Sequence, residues 1–451
     1  MLKILLRQHW ILVGLSCFLV LFAVFVYDAH REPTTTRYIK TIISPADLEQ
    51  LEAIKTVPSD SENGLSLLLE AADKIQYPQE ERYISISFKF GESLPSEQQE
   101  MLRKYVDMND ESLSLILEAL EYPYIHLPPL RPYDQHRDEV YDKTGELIRF
   151  LSYRMLGAAT RNESVLLDEA ITTNRQFLKK LSYSHYLQDE MVKQSMLTGN
   201  VYYMETLLSY ATPSLTTIRE HLTLFSINEQ KSFDNARMAL INETIKLSPS
   251  HELNSEFLQI FHKQSDVMRL LGMASMEWSQ LPFIGASVFT ERLAQTLAIG
   301  SEDIYTAAML YGREQEKEKY ALSDLFYPYG LMYPDIFFFA VRHIARLNGA
   351  RSALASLLFH YDHNRMPDTL EELVPDYLDA LPRDPFTPNR PIRYRIDGDI
   401  ALFYSIGENA MDNNGVKRIY NSQKNAYDHP ERDDIIFWLK VPQITTERQE
   451  P

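Results

Sequence analysis

Cysteine is almost missing from this chain of 451 residues, and its single copy, Cys17, lies in an apolar N-terminal segment. The rest of the chain therefore has no internal disulfide, no cysteine-based zinc site and no cysteine nucleophile, and its stability has to come from packing. Glycine is scarce too, with 15 copies, while Leu, Glu, Ala, Arg and Ser dominate many segments. That balance favours helices over a turn-rich sandwich. Positive charge is in short supply: 45 Lys and Arg stand against 63 Asp and Glu, a formal net charge of −18. No basic stripe is available to displace counterions from phosphates, so nucleic acid is not expected as a partner. An acidic surface of this kind serves solubility.

Local catalytic signatures are the next absence. The chain has no Gly-x-Ser-x-Gly elbow, no phosphate-cradling glycine loop and no His-Glu-x-x-His pair, the usual marks of hydrolases, nucleotide binders and zinc proteases.

What is present begins at the N-terminus. Trp10 to Tyr27 (WILVGLSCFLVLFAVFVY) carries no charge, and as a helix it would be about 27 Å long, close to the hydrocarbon thickness of a bilayer. Lys3 and Arg7 precede it and Asp28 follows, which by the positive-inside rule keeps residues 1–9 in the cytoplasm and exports the body. Membrane lipid is thus the first expected partner, through one span. A cleaved signal peptide is the competing reading, but Tyr27, Asp28 and His30 occupy the place where small residues would mark a cleavage site.

Residues 28–43 read as a linker, rich in Pro and Thr between Arg31 and Arg37. With 45% hydrophobic residues, 11% of the chain being aromatic, the remainder has enough apolar surface for a sizeable core. Residues 44–350 form the predicted helical domain. Apolar residues at helical spacing predict helices from about Ser44, over Asn63 to Ile75, and over Ser96 to Tyr122 with a break near Asn109. Leu147, Phe150, Leu151, Met155 and Ala158 form one stripe and Leu167, Ala170, Ile171, Asn174 and Leu178 another, separated by Arg161-Asn162-Glu163, which predicts a helical hairpin. Further helices are expected over Tyr186–Ala211, Leu215–Leu224, Pro249–Leu271 and Phe289–Ala298. No fixed repeat length emerges, so the array is not read as a tetratricopeptide repeat. Ile336 to Leu347 (IFFFAVRHIARL) contains Arg342, His343 and Arg346 and is too short for a second span, so a buried core helix is expected.

Beyond Pro382 the character changes. Turns rich in Pro, Asn and Asp separate Ile392–Ile396, Ile400–Tyr404 and Ile435–Leu439, which read as three small strands. The fold class expected is mainly α: an N-terminal transmembrane helix, a helical-hairpin array, and a small C-terminal α/β module with a short antiparallel sheet over 351–445, before a tail over 446–451.

Within that module, HYDHNRMPDTLEELVPDYL, LPRDPF, IRYRI, ALFYSIG and a closing DDIIFWL occur in an order that resembles the C-terminal part of the major pseudopilin of type II secretion systems. The resemblance covers Leu354 to Leu439, and the whole layout is similar to uncharacterised bacterial membrane-anchored helical proteins. It implies a bacterial inner membrane, with the body on the periplasmic or extracytoplasmic side. It also implies a Ca²⁺ ion held by the loop after Gly407, with Asn409, Asp412, Asn413 and Asn414 offered by ENAMDNNG, and Asp433 and Asp434 before the last strand; the metal ligands expected on this basis are Asn409, Asp412, Asn414, Asp433 and Asp434. Such hard oxygen donors suit Ca²⁺. The opposing reading is a solvated polar loop, since Lys417, Arg418, Lys424 and Arg432 in the insertion Val416–Arg432 would oppose a cation. The pseudopilin processing motif, with its glutamate at the start of the apolar helix, has no counterpart around Gly14, so assembly into a pilus is not implied.

Other chemistry-bearing groups have plainer readings. His360 and His363 could place two nitrogens on one helix face, but no third ligand can be assigned. Glu371-Glu372 and Glu80-Glu81 read as solvated helix faces rather than a glycosidase pair. Phe326, Tyr327, Tyr329, Tyr333 and Phe337–Phe339 read as core packing before a binding groove. The function expected is that of a non-enzymatic envelope protein acting through contacts with an envelope protein partner. The rival is an enzyme acting on an envelope polymer with carboxylates from scattered helices.

Overall fold

A computed structural model of the chain describes residues 49, 59–78, 90, 94–128, 135–182, 187–226, 234–239, 241, 305–306, 333–387, 390–416, 419–421, 426–428 and 434–442. The predicted span at 10–27, the linker, most of the first predicted helix, those at Pro249–Leu271 and Phe289–Ala298, and Glu80-Glu81 lie outside the described residues. Among the described residues no helix is long and apolar enough to cross a membrane.

The molecule is mainly helical with a small three-stranded antiparallel sheet. Helix α1 (Leu65–Asp73) starts from Gly64, where a Cβ would come within 2.6 Å of the Ala119 carbonyl oxygen. Helices α2 (Ser96–Asp107) and α3 (Asp110–Ala119) are separated at Asn109. That side chain is buried and explains the break: its Oδ1 accepts Gln76 N at 2.7 Å, and its Nδ2 donates to Gln76 O and Tyr105 O at 3.0 and 2.7 Å. A side chain that satisfies stray backbone groups competes with continued helix.

The expected hairpin is α4 (Gln135–Arg161) and α5 (Ser164–Lys180), turned by Asn162 at φ 56°, a left-handed conformation that asparagine tolerates. Two-residue strands β1 (Ile125–His126) and β2 (Leu181–Ser182) pair in parallel beside it. Lys180 Nζ donates to Leu120 O and to Tyr122 O just past the end of α3, placing a cation where the helix dipole is negative. This small joint carries no period-2 pattern and was not expected from sequence. Helix α6 (Leu187–Leu207) follows, then α7 (Leu215–Phe225), whose cap Ser214 Oγ accepts Thr217 N at 3.2 Å. Tyr105, Phe150, Phe177 and Phe225 are fully buried in the shared core.

The core helix expected at Ile336–Leu347 is part of α8 (Tyr333–His363), 31 residues long, which runs across position 350. Gly349 does not break it because the glycine serves a close approach: a Cβ there would lie 3.3 Å from Phe403 O in the sheet. One side of α8 meets α6 and α7, another meets the sheet.

That sheet has the order β3 (Arg393–Asp397), β4 (Ile400–Ser405), β7 (Ile435–Lys440). Alternation sorts its faces. Ala401, Phe403, Phe437 and Leu439 join the main core, while Leu402, Tyr404 and Ile436 form a second cluster on the other face. The insertion Val416–Arg432 between β4 and β7 contains the antiparallel pair β5 (Ile419–Asn421) and β6 (Ala426–Asp428).

Candidate functional site

The expected ligand loop covers the outer face of the sheet. Gly407, Ala410, Asn414 and Gly415 all have positive φ, at 67°, 51°, 58° and 68°, which coils the loop tightly. Gly415 lies against the outer cluster, where a Cβ would stand 3.1 Å from Leu402 Cδ2. Arg393 and Arg395, two residues apart on β3, pair across to Tyr404 and Leu402, so both share the face that the loop covers.

Of the five expected ligands, Asn409, Asp412, Asn414 and Asp434 are brought together around this loop, and Asp433 lies outside the described residues. Asp412 Oδ1 accepts Asn414 N at 2.9 Å and the Tyr404 hydroxyl at 3.3 Å, while Oδ2 accepts Arg393 Nε at 2.8 Å. Asp434, buried, accepts Gly415 N at 2.7 Å and Asn413 N at 3.4 Å. Asn409 closes the loop locally, accepting Met411 N and donating to Asn413 Oδ1, each at 3.0 Å. The Asn414 backbone oxygen accepts Arg395 Nε at 3.1 Å. Burial pushes the Asp434 carboxyl up, against the lowering effect of the Gly415 and Asn413 N–H groups, and the nearby Asp412 charge adds to the rise. Burial, then Asp412 and Asp434, push the Tyr404 phenol up to about 12.

Sequence reasoning missed the residue that organises this region. Asp384 is fully buried and accepts Ser405 Oγ at 2.6 Å, Phe386 N at 3.0 Å, Thr387 Oγ1 at 3.0 Å, Ile406 N at 3.1 Å and Arg393 Nη1 at 3.1 Å. Its signal was the Asp-Pro step, which favours a turn closed by the aspartate side chain; the strand partners that complete the set are distant in sequence. A calcium cage needs roughly six to eight oxygens converging on one point. Here the Asp412 and Asp434 oxygens receive N–H and O–H donors, and a guanidinium already stands between Asp384 and Asp412. The arrangement suits that guanidinium better than a divalent cation.

The other polar concentration is helix α6. It buries Asp189, Glu190, Gln194, Asn200 and Glu205, so it is not amphipathic, as expected of a helix enclosed on several sides. Each neighbour is reached by a different side chain. Asp189 Oδ1 accepts the Tyr141 hydroxyl of α4 at 2.6 Å, Thr198 Oγ1 meets His343 Nδ1 of α8 at 2.8 Å, Asn200 Nδ2 donates to Asn174 Oδ1 of α5 at 2.6 Å, and Glu205 Oε1 accepts Trp438 N of β7 at 2.7 Å. Glu190 accepts Gln194 Nε2 at 3.3 Å and has Lys193 Nζ 3.6 Å away. Asp189 and Glu205, near opposite ends of the helix, tie down separate elements, while Glu190 is held by side chains of α6 itself.

The remaining candidates separate. The His363 ring packs against Phe359, tilted by 32° with centroids 4.2 Å apart. His360 is buried, and burial lowers its pKa. Glu372 caps a 3-10 turn (Leu370–Leu373), accepting Asp368 N at 2.6 Å and Arg365 Nη2 at 2.5 Å; the arginine, then the backbone N–H groups, hold its carboxyl down at about 2. Phe337 is buried and Phe339 is 45% exposed, while Phe326, Tyr327 and Tyr329 lie outside the described residues. No protein-family model, curated protein or solved structure matches this chain.

Proposed function

We propose that this protein is a non-enzymatic scaffold of the bacterial envelope, anchored in the inner membrane by residues 10–27 and presenting its helical body to a protein partner on the extracytoplasmic side. The observation that carries the reading is the way buried polar groups are used. Asp189, Asn200, Glu205 and Asp384 each accept or donate hydrogen bonds that join one element to another. A catalytic pair would instead place two acids in one cleft. Helix α8 runs from the helical body into the α/β module and packs against both, which makes the two a single support. Stacked helical hairpins commonly serve as partner-binding surfaces.

The test combines topology with contact. Carbonate-washed membranes should retain the full chain, and protease added to spheroplasts should digest the body. Photo-crosslinkers placed at exposed Val165 and Leu166 on α5 should then trap one protein reproducibly. Release by carbonate, protection from protease, or trapping of lipid and solvent alone from these positions would overturn the reading.

A further inference from the structure

We infer that Arg393 and Arg395 hold the 407–416 loop closed over the sheet, so that this closure needs no bound divalent cation. One guanidinium bridges two segments: Arg393 Nη1 reaches Asp384 Oδ2 at 3.1 Å and its Nε reaches Asp412 Oδ2 at 2.8 Å. Asp384 is fully buried, and a buried carboxylate needs a paired, hydrogen-bonded countercharge. Arginine supplies one permanently, with its N–H groups fixed in a fork. Arg395 adds a second tie through Asn414 O at 3.1 Å. Asp434 grips the loop from the other side through the N–H groups of Asn413 and Gly415. The polarity of the contacts is the inverse of a cation cage: N–H groups of the loop point at carboxylates, and its Asn414 carbonyl points at a guanidinium. Because the cation belongs to a strand side chain, closing the loop captures no free ion and a chelator has nothing to remove. This inference goes beyond the proposed scaffold role and does not depend on the membrane anchor.

The test is amide hydrogen exchange of residues 413–416, with thermal unfolding, on the full chain in detergent with excess Ca²⁺ or with EGTA. Wild type should give the same exchange and the same melting temperature in both. Arg393→Gln should speed exchange of the Asn413 and Gly415 amides by about tenfold or more, the factor that hydrogen bonds to a charged group carry. Stronger protection of wild type in Ca²⁺ than in EGTA would overturn the inference, as would wild-type exchange in Arg393→Gln. Should Arg393→Gln fail to fold, Arg395→Gln, whose side chain is 39% exposed, should still accelerate exchange around Asn414, and unchanged exchange there would count against the clamp.

Discussion

Glu205 and Trp438 join the two parts of this protein: the carboxylate, buried in α6, accepts the backbone N–H of Trp438 on β7, the outermost strand of the sheet among the described residues, at 2.7 Å. The outward N–H of a strand needs an acceptor, and here a helix side chain supplies one. Glu205→Ala removes the acceptor and should destabilise the protein by about 1–3 kcal/mol. Glu205→Gln keeps an acceptor oxygen and should lose less. Urea unfolding of the two variants distinguishes these outcomes.

Among the described residues neither ring nitrogen of His221 finds a hydrogen-bond partner, and the ring is fully buried against Phe225, with ring centroids 4.9 Å apart. Unsatisfied buried polar groups cost about 1–3 kcal/mol. His221→Leu, close in volume, should therefore raise stability in urea unfolding at pH 7; a loss of stability would show that the ring's packing outweighs its missing partners.

Acid should weaken the fold through the same residue and through His343. Burial pushes both down to about 3, helped by Arg175 and Lys179 of α5 around His221, and by Lys193 of α6 and Arg346 around His343. Both folded pKa values lie below the unfolded value, so the unfolded chain binds more protons in between. The contribution is fully present above about pH 6.5 and is lost as pH falls towards 3. At pH 5 each histidine should cost about 2 kcal/mol, and His221→Leu should remove its share of the slope measured between pH 7 and pH 5.

Asn109→Ala deletes a side chain making three hydrogen bonds at the α2–α3 break. A loss of about 2–4 kcal/mol is expected, at the high end for one buried polar residue. Asn109→Asp preserves only the acceptor and should be only partly better. Thermal unfolding at constant pH checks the order.

Gly64→Ala should also destabilise, by about 1–3 kcal/mol, because the added Cβ would sit 2.6 Å from backbone at Ala119. The gain in helix propensity is small beside that clash, since Gly64 precedes α1. Unchanged stability would mean that the α1–α3 contact can slide.

Much of the helical body was legible in advance because its apolar residues recur at the helical period. The stripes Leu147–Ala158 and Leu167–Leu178 mark both arms of the α4–α5 hairpin, and Arg161-Asn162-Glu163 marks its turn. The three strands were legible for the matching reason, short β-rich runs set off by turn residues. At the candidate site, Asp412 and Asp434 were singled out from the loop's oxygen donors, but not the role of Asp384 or Arg393, since their partners are reached only after β3 and β4 pair. The buried core helix expected around His343 is present, but its bond to Thr198 and the burial of Glu205 depend on which neighbours surround α6.

The sequence by itself determined the helical periods, the break at Asn109, the strand-forming runs and the acidic balance, all of which arise from neighbouring side chains and backbone preference. Only the tertiary structure decided that α8 continues through Gly349, that Glu205 accepts the Trp438 N–H of β7, and that a guanidinium sits between Asp384 and Asp412. Those outcomes depend on contacts between distant segments, and local periodicity carries no information about which buried donor meets which acceptor.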